Sequence, residues 1–343
     1  MPNQSLTFHM PAEWEPHKAT WLAWPFNIET WPEKYLAEVQ DIWWQMIQHL
    51  SLGEEVHVLA NDRSLVDSTL LSLRASAKQS QIHFHQILTN DAWIRDYGPI
   101  FVQGPHGKTI LDFGFNRWGG KYPDWQLDNQ VPSQVSSLLG LPRVDGQMIL
   151  EGGSIEVNGK GFLLTTEQCL LNPNRNPQLS KAAIETRLKN FFGANTIGWL
   201  PAGIAGDDTD GHIDDLARFV NASTIIAVAE EDPSDENYKI LQENLRVLKS
   251  LRDVNGKPFE IVTLPMPAPI EDPFVKGRLP ASYANFYIGN AVVLAPIFND
   301  KNDERVLTTL RKFFPTREVI GINCSKVVVG LGAFHCVTQQ EPI

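Results

Sequence analysis

Short apolar runs alternate along the chain with longer amphipathic stretches, and turns rich in Asn, Asp or Pro separate the two. Runs of Val, Ile and Leu bounded by such turns read as strands, whereas apolar residues recurring every three or four positions read as helices. One strand–helix–strand unit covers 56–60, 64–77 and 82–88, and a second covers 161–165, 180–192 and 196–200. A third covers 224–229, 236–251 and 259–264, and a fourth 291–295, 303–313 and 318–322. A weaker copy opens at 109–112 and continues through 130–139. The starts recur at roughly 50–70 residues, a period at which repeated supersecondary units build propellers or solenoids. An open α/β sheet shows the same alternation, so repetition alone leaves ring and open sheet side by side.

Phase favours the ring. The polar clusters Trp93-Ile94-Arg95-Asp96-Tyr97-Gly98-Pro99, Glu151-Gly152-Gly153-Ser154 and Thr209-Asp210-Gly211-His212-Ile213-Asp214-Asp215 all precede the opening strand of a unit. Cys336 stands at the corresponding end of the last unit, after Gly330, Gly332 and an apolar run at 326–329 that reads as a buried strand. Loops at one phase of a repeat array lie over one face, so these clusters should converge on one central site. The expectation is an α/β fold of five strand–helix–strand units forming a single domain over 1–343.

Composition narrows the partners. With 43% hydrophobic and 20% charged residues, the 343-residue chain can bury an ordinary core. A net charge of −11 without a Lys/Arg cluster excludes duplex nucleic acid as the expected partner and suits a cationic small molecule. The three cysteines, Cys169, Cys324 and Cys336, form no CxxC pair and no disulfide framework, which points to a reducing compartment. Residues 1–5 lack the basic and apolar regions of a signal peptide, and no apolar run approaches the length of ~18 residues that spans a bilayer. A cytoplasmic protein without membrane contact is expected. Ten Trp and seventeen Phe anticipate aromatic packing at a site or between copies in a homo-oligomer.

Cys169 and Cys324 read as small buried hydrophobes. Cys336 differs, because glycines precede it and the polar Thr338-Gln339-Gln340 follow. A thiol with a pKa near ~8.5 is mostly protonated at neutral pH, so a cation must favour the thiolate. That cation can be an imidazolium or the substrate itself. His212 is the candidate base, and in an extended segment it would share a face with Asp214 two residues on. Glu151 ends an apolar run, and Asp96 follows Arg95, with which it could equally close a turn. One thiol, one imidazole and three carboxylates fit a guanidinium, whose N–H donors pair bidentately with carboxylates. Asp96 and Asp214 would clamp it, Cys336 would attack its central carbon, and His212 would hand a proton to departing ammonia. Glu151 would orient His212 or hold a third nitrogen. The net reaction is deimination.

At this point the chain resembles the agmatine deiminase and bacterial peptidylarginine deiminase family of the guanidine-modifying superfamily. The motifs that carry the resemblance are Met10-Pro11-Ala12-Glu13-Trp14-Glu15-Pro16-His17, Thr20-Trp21-Leu22-Ala23-Trp24-Pro25, Trp93-Ile94-Arg95-Asp96 and Trp118-Gly119-Gly120. Glu151-Gly152-Gly153, the 209–214 cluster and His335-Cys336-Val337-Thr338-Gln339-Gln340 complete them. The resemblance implies a five-bladed α/β propeller (pentein) with the site on its axis. It implies Cys336 as nucleophile, His212 as general acid and base, Asp96 and Asp214 as clamps, and Glu151 beside substrate and histidine. Trp93 and Trp118 join Asp96, Asp214 and Glu151 as expected substrate-binding positions. Agmatine is the first choice of substrate, with free or peptidyl arginine as alternatives, for which Arg117 could hold a carboxylate. The family's Gly-Gly-Gly-Asn-Ile-His-Cys is here Gly330-Leu331-Gly332-Ala333-Phe334-His335-Cys336, and Ser154 replaces an Asn.

No cofactor or metal is expected. The Asp-rich stretch at 207–215 fails the EF-hand spacing, and no second histidine cluster completes a zinc site. A thiol hydrolase for amides would leave the carboxylate pair unexplained. A non-catalytic ring that binds a ligand is the remaining alternative of another class.

Overall fold

The structure, a computed structural model, describes residues 8–62 and 81–343. The helix expected over 64–77 and the segment 1–5 lie outside them. The described fold is mixed α/β, assembled from several small sheets rather than one large one.

The first sheet contains β1 (His17–Ala23), β2 (Glu55–Leu59) and β3 (Ile82–His85), with β2 parallel to both neighbours. A helix at Glu33–Leu50 crosses from β1 to β2 and buries Val39, Ile42, Trp43, Met46, Ile47 and Leu50. Four later sheets follow one plan: an antiparallel pair, a helical crossover, then a strand parallel to the second. They comprise β4 (Ile100–Gly104), β5 (Gly107–Gly114) and β6 (Arg143–Ile149), then β7 (Glu156–Val157), β8 (Phe162–Thr166) and β9 (Thr196–Leu200). Next come β10 (Ala217–Asn221), β11 (Thr224–Ala229) and β12 (Glu260–Pro265). A small hairpin of β13 (Glu271–Asp272) and β14 (Val275–Arg278) intervenes before β15 (Tyr287–Ile288), β16 (Val292–Ile297) and β17 (Glu318–Asn323). The first sheet takes its antiparallel strand from far along the chain. β18 (Gln339–Pro342) pairs with β1, setting His17 opposite Pro342 and Trp21 opposite Gln339.

Local chemistry accounts for the crossovers. The Ser180 side chain accepts from the Ala183 amide to start the helix Lys181–Phe192, and Gly193 ends it at a φ of 69°. Asp303 and Glu304 open the helix Asp303–Phe313, while Arg311 and Lys312 close it, each opposing the nearer end of the helix dipole. β11 is buried at every position, with both faces covered, and so reads as an unbroken apolar run.

Two sequence expectations need correction. The segment 326–329 is no strand: Val327–Gly330 forms a 3-10 turn, held by the Val328 amide on the Cys324 carbonyl and by Trp31 Nε1 on the Val327 carbonyl. Valine's strand preference yields here to tertiary packing around Trp31. Nor is 212–214 extended, since Ile213–Asp215 is a single 3-10 turn with His212 at its start. No helix among the described residues is long and apolar enough to cross a membrane.

Candidate active site

Five loops meet at one place, each running into the first strand of a sheet. Asp96 lies in a helical turn at Ile94–Tyr97 before β4, Glu151 starts the turn Gly152–Ser154 before β7, and His212 and Asp214 precede β10. Asn285 precedes β15, and His335 with Cys336 precedes β18. All five charged or nucleophilic residues expected from the sequence are buried here.

Their approach is close. Cys336 Sγ lies 3.7 Å from Asp214 Oδ2. His212 Nδ1 lies 3.6 Å from Asp96 Oδ1. Asp96 accepts from Trp118 Nε1 at 2.8 Å and from the Gly153 amide at 3.1 Å. The turn-closing pair with Arg95 does not form, because Arg95 reaches instead to Glu13, Gln340 and the His335 carbonyl. Glu151 Oε1 accepts from Arg175 Nε at 2.6 Å. A Cβ on Gly153 would stand 2.6 Å from His212 Nδ1, 2.8 Å from Asp96 Oδ1 and 3.1 Å from Asp214 Oδ2. Only the missing side chain lets those three groups share one point.

The arrangement leaves polar atoms without partners. Glu151 Oε2, Asp214 Oδ1 and both ring nitrogens of His212 are buried and make no hydrogen bond among the described residues. Buried groups in that condition cost about 1–3 kcal/mol each. Glu151 Oε2 and Asp214 Oδ1 are the acceptors among them, with lone pairs open to an N–H donor. A cavity of about 360 Å³ reaches the thiol, lined by Trp93, Asp96, Arg117, Trp118, Gly332 and Cys336 among others.

Electrostatics assign protons. Burial raises the Asp96 carboxyl to about 6, with Asp214 and Glu151 adding to the rise and His212 opposing it. Burial alone would lower His212, but Asp96, the Cys169 sulfur and Asp214 hold its proton well above the usual imidazole range. Burial pushes the Cys336 thiol well up, and the charges of Asp214, Asp215 and Asp96 push it further. Asp214 is buried too, yet its contact with His335 leaves it below the usual carboxylate value. These effects favour the protonated forms of both the Cys336 thiol and the His212 ring, among buried carboxylates.

Several neighbours carry no obvious sequence signal. Asn285 Nδ2 donates to Cys336 Sγ at 3.1 Å, and its Oδ1 accepts from the His335 amide at 2.9 Å. Its position just before β15 matches the phase of the other four loops, and that phase is the signal that could have found it. His335 bridges Asp214 Oδ2 at 2.7 Å and Glu13 Oε2 at 2.8 Å. Cys169, expected as an inert hydrophobe, is buried with its sulfur within 4.8 Å of a Glu151 oxygen and a His212 nitrogen. The backbone of Leu331 is left-handed, with φ 72°, at a position where the resembling motif has glycine.

Comparison with known proteins places this site in context. The family described as Porphyromonas-type peptidyl-arginine deiminase matches residues 9–342. An agmatine deiminase of Medicago truncatula is 37% identical, covering 98% of this chain and 96% of its own. A C. jejuni agmatine deiminase structure with substrate bound is 35% identical, with a TM-score of 0.88, covering 99% of this chain and 98% of that one. An agmatine deiminase structure from Enterococcus faecalis is 32% identical, with a TM-score of 0.90, over 98% of this chain and 96% of its own. With identity at that level along nearly its entire length, the chain belongs to the Porphyromonas-type peptidyl-arginine deiminase family.

Proposed function

We propose that this protein hydrolyses the guanidinium of agmatine to N-carbamoylputrescine and ammonia through a thiouronium on Cys336. The observation that carries the reading is the pair of partnerless buried carboxylate oxygens, Glu151 Oε2 and Asp214 Oδ1, in a cluster whose Asp214 Oδ2 lies 3.7 Å from the thiol. Asp96 and Asp214 grip the guanidinium from two sides, and Glu151 Oε2 takes a further N–H. Trp93 and Trp118 wall the channel along which the substrate enters.

The cation's charge offsets the three aspartates that disfavour the thiolate, so Cys336 ionises as substrate binds, its proton passing to solvent. The Asn285 amide donor adds to that stabilisation. Sulfur bonds to the central carbon, and the His212 imidazolium protonates the departing nitrogen, which leaves as ammonia. Neutral His212 then takes a proton from water as its oxygen adds to the thiouronium carbon. The carbon–sulfur bond breaks, the thiol is restored and the urea product leaves.

The far end of the cavity favours agmatine over arginine. Arg117, the sequence candidate for a substrate carboxylate, has Nη2 3.1 Å from Asp91 and Nη1 3.5 Å from Asp128. Its Nη1 also donates to the Asp124 carbonyl at 2.8 Å. Of the outer carboxylates lining the same cavity, Asp91 is paired with Arg117 and Asp208 with Lys121, which leaves Glu29 to meet an ammonium. We also read the mixed sheets as five blades of one α/β propeller over 1–343, supported by five convergent loops and by the β1–β18 pairing. Ammonia release from agmatine, free arginine, peptidylarginine and methylated arginines tests the substrate. Agmatine should lead by a wide margin in kcat/KM, and a lead for either arginine form overturns the choice.

A further inference from the structure

A second cluster of ligating side chains lies away from the cavity, on the first sheet. Strands β2 and β3 run parallel with His57 opposite His83 and Leu59 opposite His85. Side chains two apart on a strand share a face, so Glu55 and His57 stand beside His83 and His85. One ligating atom each from Glu55, His57 and His83 lies within 4.8 Å of the others. None of these residues lines the cavity that holds Cys336.

The site is built rather than incidental. The His57 ring is buried and stacks on Trp21 at 4.2 Å between centroids and 17° between planes. Its Nδ1 lies 2.8 Å from His85 Nε2, and its Nε2 lies 3.3 Å from Glu55 Oε2.

When His57 donates from Nδ1 to His85, its Nε2 lone pair faces a carboxylate oxygen. A ring proton at Nε2 would serve Glu55 and His57 alone. A cation at that point satisfies all three groups. Two imidazoles and a carboxylate are a donor set for divalent zinc-class metals, with water completing the tetrahedron. The second nitrogen of a metal-bound histidine usually bonds an outer partner that fixes the ring, which is the place His85 holds relative to His57.

We propose that Glu55, His57 and His83 form a binding site for one divalent transition-metal cation, oriented by His85, which clips β3 to β2. The bond would tie the outer strand of the first sheet to its neighbour independently of the catalytic reaction. Coordination forms two Nε2- or Nδ1-to-metal bonds and one oxygen-to-metal bond, with no change of oxidation state.

The test is isothermal titration of zinc chloride into the chelator-treated full chain carrying Cys336→Ser, which removes the reactive thiol as a competing ligand. One zinc should bind per chain and raise the melting temperature. His83→Gln should weaken binding at least about 100-fold and abolish that rise, while His85→Gln should weaken it about 10-fold. Both replaced rings are partly exposed, so the metal-free variants should melt like the parent. If His83→Gln melts lower without metal, Glu55→Gln carries the same test. Unchanged affinity in His83→Gln or Glu55→Gln overturns the proposal. So does binding that survives in them and is lost in Cys169→Ser, which would put the zinc on Glu151, Cys169 and His212.

Discussion

Two buried charge clusters lie side by side in this molecule, and they differ in one respect. Around Glu13 every charged atom is matched. Its Oε1 accepts from Arg218 Nη2 at 2.8 Å and from the Ile288 amide at 2.9 Å, and its Oε2 meets His335 and Arg95. Arg218 Nε meets Glu156 Oε2 at 3.0 Å, and Glu156 Oε1 accepts from the Phe219 amide. The cluster of Asp96, Glu151, His212 and Asp214 is equally buried but leaves four atoms unmatched. His335 touches both, with one nitrogen on each. Burial of charge therefore says little about function here, whereas incomplete pairing says a great deal. The saturated cluster holds Asp214 and the Cys336 loop in position. In the proposed reaction the unsaturated one receives the guanidinium.

Mutations that separate those roles sharpen the contrast. The largest effect belongs to Cys336→Ala, which should reduce turnover by about 10⁴-fold or more while agmatine still binds, measured by steady-state assay and calorimetry. Retained turnover would remove the nucleophile from the scheme.

Next is Asp96→Asn, which should lower kcat/KM by about 10²- to 10³-fold, since a buried cation loses a counter-charge worth about 3–5 kcal/mol. Its stability should move the other way. The carboxyl titrates at about 6 in the fold, above its ordinary value of about 3.9. The folded state therefore binds the extra proton between those values. Stability from this group is highest below the lower value, falls as pH rises through about 6, and stays reduced above it. Removing the charge should thus raise stability at pH 7 by up to about 3 kcal/mol. In the parent, kcat/KM should fall as pH drops through about 6, and the variant should lose that limb. A variant both inactive and less stable would erase the contrast.

Glu13→Gln tests the saturated side. It should destabilise the fold by about 3 kcal/mol, because Arg95 loses its carboxylate partner and Arg218 one of its two, and denaturant melts read this directly. Its residual activity per folded molecule should exceed that of Asp96→Asn. The smallest effect is Leu331→Gly. Relief of about 1–2 kcal/mol of left-handed strain is partly offset by added chain entropy, so stability should change by under about 1 kcal/mol. Activity should stay within a few-fold of the parent.

Legibility in the sequence tracked how local the deciding physics was. β11 and the helix Asp303–Phe313 fall where the apolar pattern places them, because each is set by its own periodicity and end residues. β1 and the helix Glu33–Leu50 did not stand out: β1 carries His17, Lys18 and Thr20, and its neighbours come from elsewhere in the chain. The residues expected at the site announced themselves through charge, glycines and phase. Asn285 is neutral and Glu13 lies far away in sequence, so their importance rests on contacts with His335 across 50 and 322 positions. Arg117 could not be placed beforehand, since its engagement depends on Asp91 and Asp128 meeting it in space.

The pairing of β1 with β18 has a kinetic corollary. Segments that distant in sequence meet only after a large entropic search, so this seam should zip late during refolding. Cys336 lies three residues before that strand. Renatured molecules should regain native tryptophan emission first and turnover afterwards, the interval between the two timing the closure of the seam.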